Sequence, residues 1–74
     1  MRKFIVLKYG NGAYLGIDHQ AGGFPYKCDI EDAYKWYIDE DPAEKELAIR
    51  YMNMFSSTEH VRDNGGLSIC EVTL

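Results

Sequence analysis

Apolar and polar positions alternate in two ways along this chain, and the change from one to the other divides it. Residues 3–9, KFIVLKY, and 13–17, AYLGI, are rich in β-formers and are separated by Gly10-Asn11-Gly12. Two such runs around a Gly/Asn turn predict a β-hairpin. Its loop is one residue longer than the commonest two-residue connection, which predicts a bulge. Residues 18–24, DHQAGGF, read as a polar, glycine-bearing loop, and residues 25–27 as a short edge strand.

From Cys28 onward the period changes. Ile30, Ala33, Tyr34, Tyr37 and Ile38 recur at i, i+3, i+4, i+7 and i+8, one face of an amphipathic helix. Asp29 is placed to cap it, and Glu31 and Asp32 add negative charge where a helix N-terminus favours it. The pattern breaks at residues 39–42, Asp-Glu-Asp-Pro, because the residue before a proline avoids the helical region. Asp41-Pro42-Ala43-Glu44 reads as a fresh helix start, with Leu47, Ala48, Tyr51, Met52 and Phe55 on the buried side. Two helices joined at an acidic corner are therefore expected.

Ser56-Ser57-Thr58 ends that periodicity. Residues 58–62 read as a strand and Asn64-Gly65 as a second hairpin turn. Residues 67–74, LSICEVTL, make a terminal strand whose apolar positions fall on both parities, predicting a bulge or burial on both faces. The expected fold is one α+β domain, residues 1–74: a small antiparallel-rich sheet with two helices packed on one face.

Length and charge narrow the function classes. A chain of 74 residues buries only about 60% of its unfolded surface, so a homodimer would add stability. The net charge of −4 argues against direct binding to nucleic acid or an anionic membrane and favours basic partners. Two cysteines far apart in sequence, Cys28 and Cys70, are expected to be free thiols in a cytoplasmic protein. The apolar run after Met1-Arg2-Lys3 is short for a signal peptide, and no segment has the length of a membrane span.

The charge is uneven. Residues 29–46 hold eight acids and two bases, a local balance of −6 against −4 for the whole chain. Glu31, Asp32, Asp39, Glu40, Asp41, Glu44 and Glu46 form the candidate binding face, and Trp36, off the apolar stripe of the first helix, is its candidate anchor. Clustered carboxylates can imitate a phosphate backbone and steer the protein onto a basic groove. The competing readings are a merely solvated face and a Trp36 covered by the loop or by the second helix.

Catalytic and metal chemistry find little support. Gly22-Gly23-Phe24-Pro25-Tyr26 ahead of a helix resembles a phosphate cradle, but Asp29, Glu31 and Asp32 would repel an anion and no Lys-Ser/Thr follows. His19, Cys28, His60 and Cys70 supply zinc-type ligands at spacings that match no finger or ribbon. No nucleophile–base pair is evident. The expectation is no enzyme, no cofactor and no metal.

The stretches KFIVLKYGNGAYLG, GGFPYKCDIEDAYKWY and the closing CEVTL together resemble small hairpin–helix–strand proteins of bacteriophages. Some of these are anti-CRISPR or other anti-defence inhibitors. That resemblance implies a non-catalytic protein of the host cytoplasm that binds a host defence protein, such as a nuclease or CRISPR effector. The alternatives are an oligomeric sponge for a nucleotide signal, which would need Lys8, Lys27, Arg50 and Arg62 to converge, and an accessory phage protein with no defence role.

Overall fold

The computed structural model describes residues 2–74. In chain order it has β1 (Lys3–Tyr9), β2 (Tyr14–Asp18), a 3-10 turn (His19–Ala21), β3 (Phe24–Cys28), β4 (Trp36–Tyr37), α1 (Glu44–Ser56), α2 (Glu59–Asp63) and β5 (Leu67–Thr73). The five strands form one antiparallel sheet, so the chain is α+β with a small sheet and two helices. Among the described residues no helix is long and apolar enough to cross a membrane. Met1, where the leader argument begins, lies outside them.

β1 organises the sheet. It joins β2 through the predicted three-residue loop, with the Tyr9 N–H donating to the Ala13 carbonyl at 2.8 Å and Gly12 at φ 98°. A glycine in that left-handed position is the mark of a loop closed by a bulge. β5 pairs with β1 along its whole length, from Lys3 opposite Thr73 to Tyr9 opposite Leu67, without a bulge. A strand has two edges, so β2 and β4 must share the other. β2 pairs near the hairpin, at Lys8 opposite Tyr14, and β4 pairs at the far end, with Phe4 opposite Tyr37 and Ile5 opposite Trp36. β2 thus parts from β1 and carries β3 with it. The Tyr34 N–H bridges back to the Leu15 carbonyl at 3.1 Å.

Burial on both faces of β1 follows from its alternation. Ile5, Leu7 and Tyr9 join Leu15, Ile17, Trp36, Ala48, Phe55 and Val61 in one cluster. Phe4 and Val6 join Ala33 in a second, with Tyr14, Tyr37, Cys28, Cys70 and Val72 packed around it. β5 has the same division: Leu67 and Ile69 pack on the first cluster, Cys70 and Val72 on the second.

The expected first helix is absent. Residues 30–33 make a single turn, with N–H groups of Asp32 and Ala33 donating to the carbonyls of Asp29 and Ile30, and residues 36–37 are a strand. Asp29 caps no helix. The stretch Lys35-Trp36-Tyr37-Ile38 carries strong β-formers. The open half-edge of β1 offers them ladder bonds that an isolated nine-residue helix would not recover. Its helical periodicity is real but subordinate.

The Asp-Pro start signal does begin a helix. The helix begins two residues later than that signal reads: the Asp41 carboxylate accepts the Ala43 N–H at 3.0 Å, but α1 starts at Glu44 with Ala43 in the cap position and no side-chain cap bond, so Asp41 is not its cap. Ala48 and Phe55 are buried and Tyr51 and Met52 partly so, but Leu47 is 39% exposed rather than inside. Residues 58–62, expected as a strand, contain most of α2. Thr58, extended at φ −81° and ψ 148°, caps it by accepting the Val61 N–H at 3.4 Å. Asn64-Gly65 turns no hairpin. It ends α2, with the Gly66 N–H reaching the Val61 carbonyl at 2.9 Å and the Gly65 N–H the Arg62 carbonyl at 3.2 Å, the paired bonds of a Schellman stop.

Candidate functional site

Trp36 lies opposite Ile5 on the inner face of β4 and is 2% exposed. Its ring contacts Tyr34 at 4.7 Å and Tyr51 at 5.7 Å between centroids, and Tyr51 continues to Phe55 at 5.8 Å. It is a core residue, which corrects the reading of Trp36 as an exposed anchor. Alternation along a strand, not rotation around a helix, decides where its ring points.

The acids do not share one helical face. They occupy three elements. Glu31 and Asp32 sit in the turn after β3, where the Lys35 ammonium donates to the backbone carbonyls of Glu31 and Ala33, both at 3.1 Å. Asp39 and Glu40 form the corner before α1 and hold Arg2, at 3.2 and 2.9 Å. Asp39 also accepts the Lys3 backbone N–H at 3.3 Å, and the Arg2 guanidinium lies 4.2 Å from the Tyr37 ring centre. These pairs are exposed, so each adds little stability, but they dock the start of the chain on the corner. Asp41 is engaged with Ala43 as described. Glu44 and Glu46 lie in the first turn of α1, where the helix dipole favours them.

An apolar stripe on the outer side of α1 was missed from the sequence. Leu47 is 39% and Met54 56% exposed, and with Arg50 and Tyr51 they line a shallow groove. The signal was present: Leu47, Tyr51 and Met54 run at i, i+4, i+7 beside the inner stripe of Ala48, Met52 and Phe55. α1 carries more apolar surface than the sheet covers. Phe24 and Tyr26, 70% and 40% exposed on β3, are a second exposed apolar pair.

The glycine loop opens into β3 instead of a helix, so it lacks the helix N-terminus that a phosphate cradle needs. Among the described residues no three His, Cys, Asp or Glu side chains are grouped to hold a metal ion. His19 meets Tyr34 edge-on, and His60 is bound to Tyr9, with Nε2 2.8 Å from the phenol oxygen. Cys28 and Cys70 are free, on strands with β2 and β1 between them. Burial raises the Cys28 thiol above its ordinary pKa, and Asp32 and Asp29 raise it further against the opposing pull of Lys35. A thiol so placed yields less thiolate at neutral pH, not more.

Tyr9 is pushed from 10.0 to about 12, first by burial and then by Cys28. The unfolded chain releases this proton first, so the contribution to stability is complete below the ordinary tyrosine pKa and is lost as pH rises through the folded value. Urea unfolding near neutral pH and at about pH 11 is expected to show wild type losing about 1 kcal/mol more than Tyr9→Phe. Equal losses in the two proteins would mean that the Tyr9 phenol ionises normally.

Comparison with models of known protein families, with curated proteins and with solved structures finds no match to this chain.

Proposed function

We propose that this chain is a small non-enzymatic inhibitor. It docks the outer face of α1 and the acidic corner before it on a basic surface of a partner protein in the cytoplasm of a host cell. The observation that carries the reading is on α1 itself. Exposed Leu47 and Met54 flank a groove, and Glu44 and Glu46 lie in the first turn of the same helix. An apolar centre bordered by charge is how a binding patch is built. The net charge of −4 supports a basic protein as partner in preference to nucleic acid or membrane. The likeness to small phage anti-defence proteins suggests a host nuclease or CRISPR effector.

Affinity capture from host lysate tests this, using wild type, a Leu47→Ser/Met54→Ser variant and a Glu40→Gln/Glu46→Gln variant. Both variants should melt close to wild type, since all four side chains are exposed. Each should lose the captured protein about tenfold or more, and wild-type capture should fall with added salt. Undiminished, salt-insensitive capture by both variants would reject α1 as the docking face.

The nucleotide-sponge reading has one observation in its favour. Lys8 lies 5.8 Å from the Tyr14 ring centre, and Tyr14 and Lys27 line one groove with Asn11, Cys28 and Asp29. Asp29 in that groove opposes an anion, and Arg50 lines the separate groove on α1. The inhibitor reading is therefore preferred.

A further inference from the structure

We infer that a second copy of this chain pairs antiparallel with the outer edge of β5, continuing the sheet across a two-fold axis at Cys70. Arg2 and Leu74 exchange hydrogen bonds at 3.2 and 2.8 Å, and the Gly10 N–H donates to Gly66 at 3.0 Å. In an antiparallel ladder such pairs fall on every second residue. Ser68, Cys70 and Val72 therefore turn their backbone groups toward β1, while Leu67, Ile69, Glu71 and Thr73 turn theirs outward. Among the described residues no strand pairs with that edge.

Three strands end the branched sheet, β3, β4 and β5, and they differ in their protection; β4 is only two residues long. β3 carries Pro25 and Lys27, devices that stop a further strand from adding. β5, Leu67–Thr73, has neither proline nor lysine, and it runs straight through seven consecutive pairs with β1. Its one charged residue is Glu71, and an unpaired edge of this length with no bulge is a template for another strand.

One register uses the edge completely. With Cys70 opposite Cys70 of the second copy, Leu67 faces Thr73 and Ile69 faces Glu71, and all four outward residues exchange hydrogen bonds. Glu71 is then opposite an isoleucine and not its own copy, so no like charges oppose. A shift of two residues one way sets Glu71 against Glu71. The same shift the other way leaves Thr73 unpaired. Full overlap and the absence of charge conflict favour a second copy over an unrelated strand. The added burial suits a chain too short for a large core.

Sedimentation across a concentration range and thiol cross-linking test the arrangement. In this register Cys70 and its copy form a non-hydrogen-bonded pair, with Cα atoms about 4.5 Å apart, inside the range of about 4.4–6.8 Å that a disulfide spans. Diamide, which takes up the two hydrogens as the S–S bond forms, should convert wild type and Cys28→Ser to a covalent dimer and leave Cys70→Ser monomeric on non-reducing gels. Glu71→Pro removes an outward N–H that β1 does not use. It should weaken self-association about tenfold or more while the circular dichroism stays that of the wild type. Thr73→Pro serves in its place if that variant fails to fold. A wild type that sediments as a monomer throughout overturns the inference, as does cross-linking through Cys28 equally well, a dimer indifferent to both prolines, or a foreign strand found on this edge.

Discussion

Replacing Trp36 with alanine is expected to destabilise the fold by about 3–5 kcal/mol, the range for removing a large buried aromatic. The ring is 2% exposed and lies between Tyr34 and Tyr51, against Ile5 of the central strand. Its loss would open a cavity where the parted β2, the two-residue β4 and α1 meet, and none of these can collapse independently. A domain this small has roughly 4–11 kcal/mol to lose, at ~0.05–0.15 kcal/mol per residue. Trp36→Ala should therefore be substantially unfolded near body temperature, and its urea midpoint should fall steeply. Trp36→Phe, which keeps most of the contact, should cost about half as much. In wild type the single Trp should show blue-shifted emission that moves red on unfolding. A Trp36→Ala protein that melts like wild type would place the ring at the surface after all.

The second large effect is expected at the junction of Gly10 and Gly65. A Cβ on Gly10 would collide with the Gly65 carbonyl oxygen and lie 2.8 Å from the Gly65 Cα, backbone that cannot rotate away. Gly65 holds φ 89° as the left-handed residue of the stop after α2, and a Cβ there would lie 2.9 Å from the Gly10 Cα. The approach is locked by hydrogen bonds from the Gly10 N–H to Gly66, from the Asn11 N–H to the Asn64 carbonyl at 3.2 Å and between the two Asn side chains at 2.9 Å. Gly10→Ala is expected to cost about 2–3 kcal/mol, as an overpacked site does. Gly65→Ala adds the left-handed penalty of about 1–2 kcal/mol to a similar clash. Gly66→Ala, with φ 80° and open space around its Cβ, should show the backbone cost alone. Thermal melts of the three variants separate the two contributions. If Gly10→Ala were no worse than Gly66→Ala, the hairpin and the helix stop would not be in contact.

These two predictions depend on contacts between residues distant in sequence, and such contacts were the least legible part of the chain. The candidate binding residues were visible as types but not as an arrangement. Asp39 and Glu40 stood out as acids, yet the Arg2 that engages them comes from the chain's other end. Leu47 read as core because a helical stripe does not say how wide a surface the sheet will cover.

Local chemistry by itself determined the first hairpin, the helix start at Asp41-Pro42, the helix stop at the serines and the terminal strand. Each is signalled by a backbone preference that holds whatever lies nearby: a left-handed glycine, a proline ring, a hydroxyl that competes for backbone bonds, a run of β-formers. In residues 67–74 apolar positions on both parities left a bulge or burial on both faces open, and β5 takes the second. Only the tertiary structure decided the rest. Residues 34–38 satisfy a helical and a strand pattern together, and the open half-edge beside the parted β2 selected the strand. Thr58 suits a strand or a cap, and Asn64-Gly65 suits a hairpin or a helix stop. The burial of Val61 in the core settled both, because backbone signals of equal local merit are separated only by the apolar surface each alternative buries.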